Sequence, residues 1–467
     1  MPNTALNLNL GLDPVRKCFR HFLMPAITGM VIKSLYIVAD IMFIGHSMGE
    51  DGLAAINLVL PYFSFMFAMA MMVGVGGSSL MSIRFGEGKT EEGRALFRQA
   101  FTFITVVMVS LTVATLIWLD EIVMLFGARD HLIPMAKDYV ASLTYFATPY
   151  AVGWVLSNFV RNDGNPKLVM NAMIASAALN VLLDWLFMMV FDWGMFGAGL
   201  ATGLAQLAMS GVLLLHFRRK NRRSKKCQLT LGFAKPDLAA IKAILGNGLP
   251  TLFMEASVGI VIMVSNWILL SLGGSLYLSV YTVALNCMWL LGLLVYGVCQ
   301  AVQPLVSFNH GARHHHRILE TLNLGLMIIT LICGLFSGVA MLFPGEMVAA
   351  FVAEPSPEMI ELGSRAMRFY GMAAIPMGIN VLMMTIYQAT ARSKASSVIS
   401  LLRSLVLPIA GLLVLPLLAG EGFVWANILI ADLIIMKSTL FLMKKYRSAL
   451  KQEMTMNQQS VPLAVAF

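Results

Sequence analysis

Asp40 closes the run ITGMVIKSLYIVAD, and Asp184 sits in ASAALNVLLDWLFMMV, four residues after Asn180. A carboxylate surrounded by hydrocarbon costs a few kcal/mol, and such residues mark ion or substrate paths by default. Asn180 and Asp184, at i and i+4, share one helix face. Thr202 ends GAGLAT (197–202), a run of small residues that lets helices approach closely and exposes backbone oxygens. Two carboxylates, an amide, a hydroxyl and a carbonyl supply the oxygens that a hard cation takes. The same acids can instead share a proton, because two like charges held out of water do not both stay ionised. A structural hydrogen-bond cluster is the plainer reading, but two acids at mid-membrane are too costly to be idle. Asp40, Asn180, Asp184 and Thr202 are therefore the candidate cation-coupling set.

Other residues stand near this set or imitate a site. Glu255 follows Pro250 by five residues in another apolar run, where a functional role and a simple polar pairing are equally open. Asp432 stands nearer a helix start, where water is expected to reach it. Lys33 precedes Asp40 by two helical turns and either offers a counter-charge or snorkels. Lys33, Tyr36, Asn158 and Glu255 are candidates for a substrate cavity. Pro25 removes one helix hydrogen bond fifteen residues before Asp40, which suits either a passive kink or a hinge. GEGKT (86–90) imitates the end of a phosphate-binding loop, but Ile83 stands where that pattern needs Gly and no strand precedes it. ATP binding is not expected. His314, His315 and His316 read as a solvated loop rather than a metal site. No HExxH, GxSxG or CxxC is present, and the five cysteines show no metal or disulfide spacing. No cofactor and no enzymatic activity are expected, and no metal beyond a Na+ at the coupling set.

The elements that carry these residues follow from composition. The chain has 467 residues, of which 58% are hydrophobic and only 12% charged. Soluble domains carry roughly 25% charged residues, so much of this surface must face lipid. Twelve runs of about 20 apolar residues or more are each long enough to cross ~30 Å of hydrocarbon. They lie near 18–46, 53–82, 97–119, 134–158, 168–190, 195–217, 245–272, 277–306, 319–343, 362–388, 397–418 and 422–443. Runs of that length are helices, not barrel strands. MPNTALNLNLGLDPVRKC shows no cleavable signal pattern, so the first span is expected to direct insertion.

Basic residues fall in alternate loops. They include Arg84, Lys89 and Arg94, the run RRKNRRSKK (218–226), Arg313 and Arg317, and Lys444 with Lys445. The other loops are acidic or neutral apart from Arg129 and Lys137. This alternation places both termini in the cytoplasm. The net charge of +9 is thus a topology signal, and no nucleic-acid partner is expected. The halves also repeat. MPAITGM (24–30) matches LPTLFME (249–255), FGEGKTEEGR (85–94) matches FNHGARHHHR (308–317), and Pro149 matches Pro376. Six spans per repeat relates the two bundles by a pseudo-two-fold along the membrane normal. The expected organisation is an N-terminal six-helix bundle with the coupling site (1–217), a basic cytoplasmic linker (218–242), a C-terminal six-helix bundle (243–446) and a cytoplasmic tail (447–467). Asp40 aligns with Ser265, and Asn180 and Asp184 with Leu407 and Gly411, so coupling is expected in the first bundle alone.

Four segments together resemble the multidrug and toxic compound extrusion (MATE) family. They are MPAITGMVIKSLYIVADIMFIG (24–45), LAAINLVLP (53–61), RNDGNPK (161–167) and ALNVLLDWLFMMVFDWGMFGAGLATGLAQ (178–206). The resemblance spans nearly the whole chain. It implies a fold of two six-helix bundles and cation-coupled export of amphipathic, often cationic, compounds. It also implies that Asp40 is the family's first-helix acid, that Asn180, Asp184 and Thr202 are its cation network, that Pro25 is the proline where the first helix bends, and that Glu255 is an acid of the seventh helix. The chain departs from the family in two places. Its tenth span lacks the acid found in one branch, and Lys33 stands where an amide is common. The leading expectation is a monomeric H+- or Na+-coupled antiporter of the bacterial inner membrane, working by alternating access on small amphipathic molecules. The alternative is a flippase for a lipid-linked precursor, which would want more Arg and Lys inside spans than Lys33, Arg403 and Lys437.

Overall fold

The computed structural model describes residues 8–126, 132–218, 228–352 and 355–459, which are almost entirely helical. Arg129 and the run RRKNRRSKK beyond Arg218, on which part of the topology reading rests, lie outside the described residues. Nine helices each supply one span: α1 (Val15–Gly49), α2 (Ala54–Gly86), α3 (Thr90–Ile117), α5 (Pro166–Val190), α6 (Gly194–Phe217), α9 (His315–Leu342), α10 (Pro357–Ala389), α11 (Ser393–Ala419) and α12 (Glu421–Leu450). The 74-residue stretch Leu238–Gly311 supplies two, α7 and α8, because its helical path breaks at Gly273 and Gly274. The remaining span, α4, comes in two pieces, Leu132–Thr144 and Ala147–Asn162. Twelve spans are therefore present where hydropathy places them. Most helices run past the apolar runs, because a helix continues into polar ends that hydropathy does not count.

The break in α4 has a local cause. Pro149 has no N–H for the carbonyl of Tyr145, and its ring crowds that carbonyl, so the helix opens at Tyr145 and Phe146. Pro25 and Pro376, by contrast, sit inside helices that continue through them.

The internal repeat is written into the backbone. Gly49 (φ 62°, ψ −146°) reverses the chain between α1 and α2, and Gly274 (φ 62°, ψ −148°) does so between α7 and α8. Only glycine adopts this conformation readily. Three more pairs of left-handed turn residues recur at nearly the same spacing: Gly88 with Arg313, Gly164 with Ala391, and Gly194 with Gly420.

Two compact units divide the chain. One contains His21–Ala256, and the other contains Asn9–Arg20 with the chain from Ser257 onward. In the first unit small residues let helices meet. A Cβ on Gly199 or Gly203 of α6 would run into Ser142 or Phe146 of α4. Ser210 Oγ donates to Pro149 O at 2.6 Å, and Ser176 Oγ to Ala205 O at 2.8 Å, tying α6 to α4 and α5. The start of α7 also belongs to this unit. There a Cβ on Gly76 would lie 2.7 Å from the Gly248 nitrogen, and Asn247 Nδ2 donates to Gly76 O at 3.2 Å. Asp163 holds the polar end of the unit together, with His216 Nε2 at 2.7 Å and the Gln228 N–H at 3.0 Å from its Oδ2.

In the second unit Asp432 corrects an expectation. It is only 2% exposed rather than wetted, and its Oδ1 lies 2.7 Å from Arg403 Nε. Asn380 Nδ2 donates to the same oxygen at 2.9 Å. The proximity of Asp432 to a helix start suggested water, but helix packing brings a guanidinium from α11 against it instead. The fifth span of each unit also carries a π-helical turn, at Trp185–Val190 in α5 and Leu402–Val406 in α11.

Candidate functional site

Three helices of the first unit carry the coupling set. Lys33, Tyr36 and Asp40 lie at i, i+3 and i+7 on α1, hence on one face. Asn180 and Asp184 lie on α5, where Asp184 is fully buried. Thr202 lies on α6, and its Oγ1 accepts from Asn180 Nδ2 at 3.4 Å. With its amide nitrogen turned to Thr202, Asn180 leaves its Oδ1 without a hydrogen-bond partner. Both carboxylate oxygens of Asp184 and Oδ1 of Asp40 are likewise shielded and unpartnered. Asp40 and Asp184 lie on different helices, α1 and α5, of the same unit. The structure thus brings Asp40, Asn180, Asp184 and Thr202 into one neighbourhood.

Four shielded acceptors without donors form an unstable arrangement by themselves, because each unmet buried acceptor costs free energy and two repelling carboxylates cost more. A proton or a hard monovalent cation cancels that cost. This is what the donor set fits, since every free atom in it is an oxygen. The π-helical turn begins immediately after Asp184. Such a turn holds one extra residue and recurs at functional sites in helices.

A second group adjoins the acids. Tyr139 of α4 is buried within the same unit. The Lys33 ammonium sits 4.4 Å from the Phe67 ring centre and 4.7 Å from the Trp154 ring centre. Lys33, Tyr36 and Asp40 share one face of α1, so this aromatic contact lies two helical turns from Asp40, and Glu255 lies on the part of α7 that belongs to the same unit. Asn158 sits in a different network: its Nδ2 donates to Trp154 O at 2.9 Å, and its Oδ1 accepts from Arg161 at 3.3 Å. Tyr139, Tyr150, Trp154 and Phe67 were not singled out by sequence reading. Their one signal was the pairing of Tyr150 with Trp154 at i, i+4 beside Pro149, which an apolar background hides.

The MatE family model matches the chain at residues 25–186 and 250–413, once in each half. The multidrug export protein MepA of Staphylococcus aureus is 24% identical over 425 residues, which cover 90% of this chain and 91% of MepA. Among solved structures, the outward-facing conformation of a multidrug resistance MATE family transporter superposes with a TM-score of 0.88 at 22% identity, covering 97% of this chain and all of that one. A transporter of the MOP superfamily from Pyrococcus furiosus, described as having a binding pocket of reversed polarity, gives 0.87 at 22% identity over 97% of this chain and 99% of its own.

Proposed function

Because this chain belongs to the MatE family of membrane transporters, we propose that it exports amphipathic, cationic small molecules in exchange for H+ or Na+ held by Asp40, Asn180, Asp184 and Thr202. The observation that carries this reading is the cluster of unpartnered oxygens on α1 and α5: Asp40 Oδ1, Asn180 Oδ1 and both oxygens of Asp184. An entering cation finds ligands that no protein donor occupies, and its binding removes the repulsion between the two acids. MepA, by its name, exports multiple drugs, which agrees with an adaptable aromatic lining beside that site.

The working cycle follows from the same charges. Ionised acids hold water and polar side chains around Asp40. Neutralised acids release them, and α1, which lacks one backbone bond at Pro25, then bends at low cost. The coupling half is the N-terminal bundle (1–217), joined by the basic linker (218–242) to the C-terminal bundle (243–446) and its cytoplasmic tail (447–467). The protein works as a monomer in the bacterial inner membrane with both termini in the cytoplasm. The flippase reading is weaker, because the guanidinium of Arg403 is committed to Asp432.

The test is uptake of a lipophilic cation into inverted vesicles, with Na+ and pH gradients imposed separately. At least one gradient alone should drive accumulation, and the effective one names the ion. Accumulation driven by neither, from correctly inserted protein, would refute antiport.

A further inference from the structure

Lys33 is the one residue of the lining whose charge repels the substrates proposed above, yet its position is that of a bound cation. Its ammonium lies within ~6 Å of two aromatic ring centres, the range in which ring quadrupoles attract a cation. The two rings meet edge to face, with centroids 5.1 Å apart and planes at 86°, so they form a corner rather than a flat wall. Among the described residues the ammonium makes no direct ion pair. A corner of two aromatic rings is an arrangement that recognises alkylammonium groups.

We infer that Phe67 and Trp154 form an organic-cation subsite whose built-in occupant is Lys33, so that an exported ammonium compound enters by displacing the lysine head group. The inference rests on the proposed export of cations and assigns the place where the cationic group sits. Trp154 is buried, and Gly74 of α2 packs against Asn158 one turn along, which anchors the helix that carries this ring. The lysine, in contrast, hangs on a flexible four-carbon stem and gives way without unfolding anything. A tethered competitor is present at high effective concentration, so it weakens every monovalent cation that binds there. The subsite therefore favours ligands that bring apolar surface along with the charge and rejects small inorganic cations.

The experiment uses the purified full-length chain in detergent, with phenyltrimethylammonium and its neutral isostere tert-butylbenzene as probes in equilibrium dialysis. Lys33→Gln should bind the ammonium probe roughly ten-fold more tightly than the wild type does, with little change for the neutral probe. Lys33→Arg, whose guanidinium also stacks on rings, should remain close to wild type and shows that position 33 tolerates change. Unchanged or weaker ammonium binding by Lys33→Gln overturns the inference. So does an equal gain for both probes, which would mean that only space was opened. These are binding readouts, so a failure of gradient-driven uptake would refute antiport while leaving the subsite standing.

Discussion

Asp40→Asn keeps the shape of the side chain and deletes the charge that a coupling ion must neutralise. Gradient-driven export should fall by about ten-fold or more, while the amount of inserted protein stays unchanged. The same assay on Leu407→Met, at the position the repeat pairs with Asn180, should give nearly wild-type rates. A well-inserted Asp40→Asn protein exporting normally would take Asp40 out of the coupling set. At this scale the acids were legible because a carboxylate stands out in a hydrocarbon run. Their aromatic neighbours were not: Tyr139, Trp154 and Phe67 have the composition of any lipid-facing or core position, and only the fold turns them towards charge. The partner of Asp432 was hidden for another reason, since Arg403 lies 29 residues away on a different helix.

At the level of single elements, the role proposed for Pro25 depends on motion. It sits in a helix that continues from Val15 to Gly49, so the missing bond has not broken the element as Pro149 breaks α4. Pro25→Ala returns an N–H to the helix and makes bending more costly. Turnover should slow several-fold while substrate affinity changes by less than a factor of about two, because a stiffer helix affects interconversion rather than contacts. Binding and transport measured on the same preparation decide this, and an unchanged turnover would leave Pro25 as a static kink. The prolines were visible in the sequence, but their different outcomes were not. Pro149 disrupts α4 where Pro376, its repeat partner, is absorbed within α10. The two π-helical turns were likewise illegible, because WLFMMV and LRSLV suit an ordinary α-helix equally well.

Over the whole molecule, the twelve spans and their repetition could be read directly, since hydropathy and loop charge are properties of long segments. The matching backbone turns could not, because Arg313 and Ala391 hold left-handed conformations that their residue types do not announce. The Lys and Arg alternation predicts an orientation with both termini in the cytoplasm. In an otherwise cysteine-free background, a cysteine at position 224 should react only with membrane-permeant reagents in intact cells, and one at 346 should also react with impermeant ones. External labelling at position 224 would reverse the assignment.

The unpartnered oxygens of Asp40 and Asp184 also bear on how the membrane potential enters the cycle. One elementary charge moved across 100 mV is worth about 2.3 kcal/mol. The single shared cation proposed above, exchanged for one singly charged molecule, moves no net charge, so voltage contributes nothing. Were each acid to take its own monovalent ion, one net positive charge would move inward per turn, and a potential of about 100 mV, negative inside, would raise the attainable substrate gradient by about forty-fold, given that each 1.4 kcal/mol or so is a factor of ten. A potassium diffusion potential set with valinomycin, in vesicles without a Na+ or pH gradient, should therefore fail to drive export by itself. Export driven by that voltage alone would mean that each carboxylate carries an ion of its own.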